Sequence, residues 1–320
     1  MKAFDYAIAE NTSGAIAAIG KKYRVKAAGI DLLDMLKERT EPGDRFVSIH
    51  RVAELGGIMT TADGLRIGAL ATLAEIGDSE LVRKSFPALA EAASSAATPQ
   101  VRARATAAGN VLQRPRCWYF RAKEYDCLKK GGATCFAVEG ENQFHALFGG
   151  GPCHITHASN IAPALVAVNA EIRARGQKDT RVISADGFFT LPDKGVGREN
   201  SLSEDELVTE FVIRKLPTKS AYVEFKEKQS FDWPLAACTV ALLDGKWRVV
   251  LSHVAPIPWR ATKAEEVLGG TADIDEALAE KAADAALEGA KPMRDNGYRL
   301  KLVRAAVRRS LLEACGKAAV

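Results

Sequence analysis

The sequence lacks the features that define several large classes of protein. No apolar run in its 320 residues approaches the roughly 18 residues that a membrane-spanning helix needs, so we expect no membrane span. Its first residues show no basic segment followed by an apolar one, so we expect no export signal there. The net charge of +4, from 44 basic and 40 acidic residues, is too small to indicate a nucleic-acid-binding protein.

Cysteine is scarce, but its distribution is uneven. Six cysteines in a chain of this length do not make a disulfide scaffold. Four of them fall within 37 positions, namely Cys117, Cys127, Cys135 and Cys153. The gaps between them, of nine, seven and seventeen residues, match neither a zinc knuckle nor a common ferredoxin run. Four thiolates can bind a zinc ion or an iron-sulfur cluster, so the spacing leaves the metal open.

The other cysteines and the histidines do not indicate a catalytic site. A zinc site with both cysteine and histidine ligands is a further alternative, because three histidines lie near the four cysteines in the sequence, namely His145, His154 and His157. Cys238 and Cys315 lie in apolar strand and helix patterns and are interpreted as core residues. His50 and His253 have no recognisable nucleophile or carboxylate partner, which disfavours a hydrolase triad. We predict no catalytic residue on this chain.

What is present indicates an α+β protein of several packed units, with 47% hydrophobic and 26% charged residues. Short strand and helix patterns alternate through residues 1–59, which predicts a small α/β lobe. Residues 60–216 predict a second lobe, with one helix over 81–97 and an irregular cysteine-containing loop at 112–157. Residues 217–320 predict a domain with an antiparallel sheet followed by helices.

Two turns rich in small residues are candidates for binding phosphate. Residues 23–33 predict a strand, a tight turn and a helix whose N-terminus Asp31 caps. Small side chains there let backbone N–H groups approach an anion, although the same arrangement serves as a plain structural turn in many α/β proteins. In the second turn, at 104–111, Thr106 offers a hydroxyl and Gly109 permits a positive φ or close approach of a ligand.

Basic residues concentrate around the second turn and the cysteine loop: Arg102, Arg104, Arg114, Arg116, Arg121, Lys123, Lys129 and Lys130. Either a solvated basic loop or a site for an anionic cofactor accounts for them. The aromatic residues at 118–120 are consecutive and not interleaved with the basic ones, which disfavours nucleic acid.

Taken in order, these segments resemble the FAD-binding subunit of the xanthine dehydrogenase and carbon monoxide dehydrogenase family of molybdenum hydroxylases. Residues 27–32 and 106–110 are similar to the two FAD-binding loops of that family, and 159–165 to its Ser-Asp-Leu-Ala-Pro stretch. Residues 225–235 and 258–260 resemble signatures of its C-terminal domain. The resemblance implies a two-lobed FAD-binding region of the vanillyl-alcohol-oxidase-like type, followed by a C-terminal flavoprotein domain.

The resemblance also implies a set of FAD contacts. These are Arg24, Val25, Lys26, Ala27, Ala28, Gly29, Ile30, Asp31, Leu32, Thr106, Gly109, Asn110, Arg116, Asn160 and Lys228. Two positions depart from the family pattern. Ile30 stands where the family's Gly-Gly-Thr run has threonine, and Asn160 stands where an aspartate is usual. We expect both changes to alter affinity rather than abolish binding.

The four-cysteine loop limits the resemblance to a few members of this family. Among flavin subunits of this family, those of 4-hydroxybenzoyl-CoA reductase and of bacterial periplasmic-type aldehyde oxidoreductase carry such a loop, with a 4Fe-4S cluster. Residues 112–120 are most similar to the aldehyde oxidoreductase type. The resemblance therefore implies that the four clustered cysteines ligate a 4Fe-4S cluster, a choice of metal that their spacing does not make.

The implied function is electron transfer in a molybdenum-dependent aldehyde oxidoreductase. A large subunit with molybdenum cofactor and a small subunit with 2Fe-2S clusters would join this chain in a heterotrimer or its dimer, and FAD would deliver electrons to an external acceptor. The alternatives are a subunit like that of 4-hydroxybenzoyl-CoA reductase, with reversed electron flow, and a zinc-stapled binding or scaffold protein. We expect a cytoplasmic location, or a periplasmic one only if a partner's export signal carries the chain.

Overall fold

A computed structural model describes residues 3–228 and 231–317. Its strands form sheets of three, five and four strands, one in each successive part of the chain. Among the described residues, none of the helices has the length and apolar character needed to cross a membrane.

The first part of the chain forms a three-stranded parallel sheet in the order β1-β3-β2 with two helices. Its elements are β1 (Asp5–Ile8), α1 (Thr12–Gly20), β2 (Arg24–Lys26), α2 (Ile30–Glu38) and β3 (Arg45–Ser48). The Asn11 side chain accepts from the Gly14 N–H at 2.8 Å and so begins α1. Ile16 and Ile19 of this helix pack in one core with Val47 of β3. This packing holds β2 and α2, which flank the first small-residue turn.

The second part forms an antiparallel five-stranded sheet in the order β4-β5-β8-β6-β7. The strands are β4 (Ile58–Thr61), β5 (Gly64–Gly68), β6 (Glu171–Arg175), β7 (Thr180–Ser184) and β8 (Leu207–Ile213). Its helices are α3 (Leu73–Asp78), α4 (Glu80–Ser85), α5 (Pro87–Ser94), α6 (Pro99–Arg102), α7 (Ala107–Val111), α8 (Trp118–Arg121), α9 (Ala162–Ala167) and α10 (Ala185–Phe188).

The single helix predicted over 81–97 is wrong, because the structure divides this stretch into α4 and α5. Phe86 lies between them with an extended φ of −152°, and Pro87 begins α5. Proline disfavours a helical conformation in the residue before it and lacks an N–H to donate. The helix is therefore interrupted at Phe86, although the apolar pattern of the sequence continues from α4 into α5.

The irregular loop is anchored to the C-terminal part of the chain. Beyond α8 it contains a short 3₁₀ turn at Leu128–Lys130 and no further helix or strand among the described residues up to 157. The Leu147 N–H donates to the Val254 carbonyl at 2.7 Å, and the Asn296 side chain donates to the His145 carbonyl at 3.1 Å. These bonds satisfy backbone groups that regular structure would otherwise pair.

The C-terminal part forms an antiparallel sheet in the order β12-β11-β10-β9, covered by helices. Its elements are β9 (Lys219–Phe225), β10 (Ala236–Leu243), β11 (Lys246–Ser252), β12 (Trp259–Arg260), α11 (Thr262–Leu268), α12 (Glu276–Ala285) and α13 (Arg299–Ala314). Val303, Val307 and Leu311 of α13 share a core with Val240 of β10. The predicted α+β class, with an antiparallel sheet and helices at the C-terminal end, is confirmed.

Candidate cofactor-binding site

The first turn joins β2 to α2 through Gly29, which precedes the helix in a left-handed conformation with φ of +83°. This conformation favours glycine because it has no Cβ to clash. The amide N–H groups of Ala28 and Gly29 find no hydrogen-bond partner within residues 3–228 and 231–317. The turn therefore presents unpaired backbone donors beside the N-terminus of α2, as an anion-binding turn requires.

Asp31 does not cap the helix as predicted. Gly29 is the cap residue, and the Asp31 carboxylate accepts instead from the Arg114 N–H at 2.8 Å. The same carboxylate pairs with Arg116 at 2.6 Å and with Arg121 at 2.7 Å. Burial raises the pKa of Asp31, but the two guanidinium groups and the hydrogen bonds outweigh that effect and lower it below the ordinary value. Asp31 thus ties α2 to the basic segment before the cysteine loop.

The second turn begins α7, where the Thr106 hydroxyl oxygen accepts from the Gly109 N–H at 3.2 Å. Gly109 lies inside this helix and does not adopt a positive φ, so one of its two predicted roles is wrong. Gly109 lines the large cavity, and a Cβ there would lie 2.8 Å from the Thr106 hydroxyl oxygen, so glycine is favoured by packing within the turn. Asn110 accepts from the Ser159 hydroxyl at 2.6 Å, which joins this turn to the stretch containing Asn160.

Both turns border one cavity of about 450 Å³. All the predicted FAD contacts except Lys228 line it: Arg24, Val25, Lys26, Ala27, Ala28, Gly29, Ile30, Asp31, Leu32, Thr106, Gly109, Asn110, Arg116 and Asn160. Lys228 lies in an exposed turn after β9 and does not line the cavity. Segments more than 70 positions apart in the chain thus meet at a single site.

Sequence reasoning missed most of the apolar wall of this cavity, which includes Ile49, Leu70, Leu73, Val101, Leu202 and Leu207. In the sequence, such apolar residues cannot be distinguished from ordinary residues of the hydrophobic core. It also missed Trp233, which lines the cavity and whose ring centroid lies 4.7 Å from the Arg116 guanidinium carbon. An aromatic residue beside a basic one can be recognised only once the C-terminal domain is in place.

A second, much smaller cavity of about 10 Å³ is lined by all four clustered cysteines. Cys127 and Cys153 are buried, and Cys117 and Cys135 are partly buried. The buried side chain of Lys129 also borders this cavity and forms an ion pair with Glu199. Within the described ranges, no set of three or more cysteine, histidine or acidic side chains is arranged to hold a single metal ion.

The four thiols interact with one another and with a histidine. The side chains of Cys135 and Cys153 interact with each other, and this interaction lowers the pKa of the Cys135 thiol. His145 Nε2 lies 3.2 Å from Cys117 Sγ, and burial raises the pKa of the Cys117 thiol to about 11. His154 borders the same cavity, whereas His157 packs against the Phe189 ring at 4.8 Å and lies outside it.

The other two cysteines lie elsewhere, as predicted. Cys238 is buried in β10, and Cys315 packs at the end of α13 against the same C-terminal core. Neither borders the cavity of the four clustered cysteines.

Comparison with known proteins identifies the family of this chain. Residues 2–215 match the family model for the FAD binding domain in molybdopterin dehydrogenase, and residues 222–314 match that for the CO dehydrogenase flavoprotein C-terminal domain. The chain belongs to this family, as an FAD-binding subunit of a molybdenum hydroxylase.

Individual relatives align along the whole chain. The aldehyde oxidoreductase FAD-binding subunit of Escherichia coli is 31% identical to this chain, and the alignment covers 99% of this chain and 100% of that protein. The carbon monoxide dehydrogenase medium chain of Hydrogenophaga pseudoflava is 28% identical, covering 99% and 98%. A solved structure of carbon monoxide dehydrogenase from the same organism superposes with a TM-score of 0.76 at 27% identity, over 99% of both chains.

The large cavity of this flavin subunit suits FAD chemically. The diphosphate of FAD is anionic, and the cavity supplies Arg24, Lys26 and Arg116 together with the unpaired amides of the first turn. The Arg116 Nε is buried and has no hydrogen-bond partner among the described residues, which leaves a donor for a ligand. The apolar wall suits the two ring systems of FAD, so the residues present fit this cofactor.

Proposed function

We propose that this flavin subunit transfers electrons in a molybdenum-dependent aldehyde oxidoreductase, through FAD in the large cavity and a 4Fe-4S cluster held by Cys117, Cys127, Cys135 and Cys153. The observation that carries the proposal is that four cysteines without a recognisable local motif line one cavity. The full-length similarity to an aldehyde oxidoreductase FAD-binding subunit supports the choice of reaction.

In this proposal the first turn and Arg116 hold the FAD diphosphate. Unpaired amides of Ala28 and Gly29 and the N-terminus of α2 offer hydrogen bonds and a favourable partial charge to it. Asp31 keeps Arg116 and Arg121 oriented. FAD supplies the redox chemistry, and the chain supplies binding, orientation and exclusion of water.

The four cysteines supply one thiolate for each iron of a 4Fe-4S cluster. The thiols of Cys135 and Cys153, which contact each other, must separate to ligate two different iron atoms. The buried cation of Lys129 would offset part of the negative charge of a cluster with four thiolate ligands. The same loop forms hydrogen bonds with the C-terminal domain, such as that from the Asn296 side chain to the His145 carbonyl. A bound cluster would order the loop and so stabilise its contact with this domain.

The working enzyme would contain partner subunits. The name of one relative, a carbon monoxide dehydrogenase medium chain, describes one chain of a larger assembly. We propose that a large subunit with molybdenum cofactor and a small subunit with 2Fe-2S clusters complete this one, in a heterotrimer or its dimer. An external acceptor would take the electrons from FAD. A cytoplasmic location, or a periplasmic one through a partner's signal, stays a prediction.

Metal and flavin analysis of the purified protein tests the proposal. Wild-type protein should contain one FAD and about four iron atoms per chain, with absorption near 450 nm. Cys127→Ser should remove most of the iron while FAD stays bound, because Cys127 borders the small cavity and not the large one. Cys315→Ser is the matched control and should retain both cofactors.

Three results would overturn different parts of this proposal. Colourless protein with one zinc per chain would reject both cofactors and favour the zinc-stapled alternative. Protein with flavin and no iron after anaerobic purification would reject the cluster alone. Iron that persisted in Cys127→Ser but disappeared in Cys315→Ser would reject the assignment of ligands.

A further inference from the structure

Glu199 is a buried carboxylate that contacts a cation of each cofactor cavity. Its side chain is 7% exposed and lines neither the large cavity nor the small one. The carboxylate forms an ion pair with Lys129, which borders the small cavity of the four clustered cysteines. It also lies 3.2 Å from the Nε of Arg114, which borders the large cavity. A single acidic residue therefore joins the surroundings of the two sites.

The ion pairs continue along the wall of the large cavity. The Arg114 Nη1 lies 2.9 Å from the Glu41 carboxylate, and the Arg24 Nη2 lies 2.8 Å from the same carboxylate. Positive and negative side chains thus alternate from Lys129 at one site to Arg24 at the other. Both ends of this series are cationic, and in the proposed function each end would face an anionic cofactor.

The backbone around Glu199 is held by the segment before it. The Glu199 carbonyl accepts from the Thr190 N–H at 2.9 Å, and Asn200 forms an isolated antiparallel bridge with Phe189. The Arg114 Nε and the Glu199 Oε1 have no partner with hydrogen-bond geometry among the described residues. Attraction between charges therefore holds the Glu199 side chain in place, and a neutral side chain at this position would lose that attraction.

Lys129 depends on Glu199 for a counter-charge. The Lys129 side chain is 2% exposed, and its Nζ donates to the Val196 carbonyl at 2.6 Å. Within residues 3–228 and 231–317, Glu199 is the one carboxylate that pairs with it. A buried ammonium group without a counter-charge costs several kcal/mol. Glu199 therefore stabilises the cation that borders the small cavity.

We propose that Glu199 is a positioning residue for both cofactors, which holds Lys129 at the small cavity and Arg114 at the large one and lowers the reduction potentials of the cluster and of FAD. This inference rests on the proposed function, which places those cofactors in the two cavities. A buried negative charge disfavours the addition of an electron nearby, and solvent ions screen it poorly. Charge in the surroundings is one determinant of the potentials of iron-sulfur clusters and of flavins.

Three variants separate this role from a general effect on folding. Glu199→Gln keeps the shape of the side chain and removes its charge, so it should shift both potentials in the positive direction. Lys129→Met removes the opposite charge and should shift the cluster potential in the negative direction. The double variant Glu199→Gln, Lys129→Met removes one charge of each sign, so its cluster potential should return close to that of wild type. A residue that only supported the fold would not produce shifts of opposite sign.

Anaerobic redox titration of the full chain with its bound cofactors measures these shifts. Visible absorption follows the flavin, and electron paramagnetic resonance follows the cluster. Glu204→Gln is the matched control, because it makes the same substitution in the same segment at a side chain that is 82% exposed. Water and ions screen an exposed charge, so neither potential should change in this variant.

The outcomes decide the inference separately from the proposed function. Potentials in Glu199→Gln equal to those of wild type would overturn it, as would shifts of the same sign in Glu199→Gln and Lys129→Met. If Glu199→Gln does not fold, the sign of the shift in Lys129→Met and the recovery in the double variant decide the effect on the cluster. Wild-type protein with flavin and no iron would instead reject the proposed cluster, and the flavin potential would still decide whether Glu199 acts on FAD.

Discussion

At the scale of single residues, Gly29 combines a backbone requirement with a steric one. Its φ of +83° lies in the region that side chains with a Cβ disfavour, and a Cβ there would lie 3.0 Å from Leu33 and 3.1 Å from Lys26. Asp31, two positions later, contributes charge instead of shape. Both residues were recognised in the sequence, but the reason for Asp31 was different from the one predicted.

Gly29→Val should reduce bound flavin while leaving iron in place. The left-handed conformation costs a branched residue roughly 1–2 kcal/mol, which corresponds to about a fivefold to thirtyfold loss in affinity if binding needs this conformation. Gly245→Val is the control, because Gly245 has a φ of +73° in the β10–β11 hairpin with open space around it. Flavin per chain is measured by absorbance after dialysis. Equal flavin in the two variants would show that the first turn is only structural.

Asp31→Asn should destabilise the protein near pH 7 and destabilise it less at pH 3. The folded-state pKa of Asp31 lies below its unfolded value of about 3.9, so its stabilising contribution is present above pH 4 and lost as pH falls through the folded pKa. We expect a loss of roughly 3 kcal/mol at pH 7, because Arg116 and Arg121 lose a partly buried partner.

Urea unfolding at the two pH values measures this effect, with Asp34→Asn as the control. Asp34 also pairs with Arg121, but its side chain is 54% exposed, so its removal should cost less than about 1 kcal/mol. A loss for Asp31→Asn that is equal at pH 7 and pH 3 would contradict the charge-based explanation.

At the scale of elements, the start of α3 supports the second turn. Thr72 and Glu75 form a capping box, in which each side chain accepts from the backbone N–H of the other. The adjacent Leu73 N–H donates to the Ala105 carbonyl at 2.8 Å, and the Ala107 N–H donates to the Ala71 carbonyl at 2.7 Å. The cap of one helix therefore fixes the entry to α7.

Thr72→Ala should lower the free energy of unfolding by about 1 kcal/mol, because the first N–H groups of α3 lose their side-chain partner. Thr180→Ala, at an exposed position of β7, is the control and should change stability by less than about half as much. Urea unfolding of the flavin-loaded protein measures both. Should Thr72→Ala prove as stable as wild type, the stabilising role of this capping box would be refuted.

At the scale of the whole molecule, the chain is an FAD-binding subunit of a molybdenum hydroxylase. It belongs to a family of FAD-binding subunits, and residues from distant segments of the chain line one large cavity. Hydroxylation of an aldehyde requires a site that delivers oxygen to carbon, and our proposal places that site on another subunit. In that proposal, the flavin would link two-electron chemistry to one-electron clusters.

The purified chain alone should therefore not convert an aldehyde to its carboxylate, whereas a complex with molybdenum and 2Fe-2S subunits should. Carboxylate formation, measured by chromatography with and without co-purified subunits, tests this expectation. The isolated chain should still be reduced by dithionite and reoxidised, which serves as the control for intact flavin. Aldehyde oxidation by the single chain at the rate of the complex would reject the division of labour.

The sequence by itself determined the family, the α+β class and both small-residue turns, because these depend on local patterns and ordered motifs. It also singled out the four cysteines from the two core cysteines. It could not show that the helical pattern is interrupted at Pro87, nor that Lys228 is not among the residues that line the cavity. Neither could it show that Asp31 pairs with Arg116 and Arg121, since those contacts span more than 80 positions.

Only the tertiary structure decided which distant residues meet. The stacking of Trp233 on Arg116 and the burial of Arg299 against backbone carbonyls both depend on how the C-terminal domain packs on the cysteine loop. Helices and turns follow from interactions between residues a few positions apart. A cavity forms where segments far apart in the chain come together, so its lining follows from packing and leaves no periodic trace in the sequence.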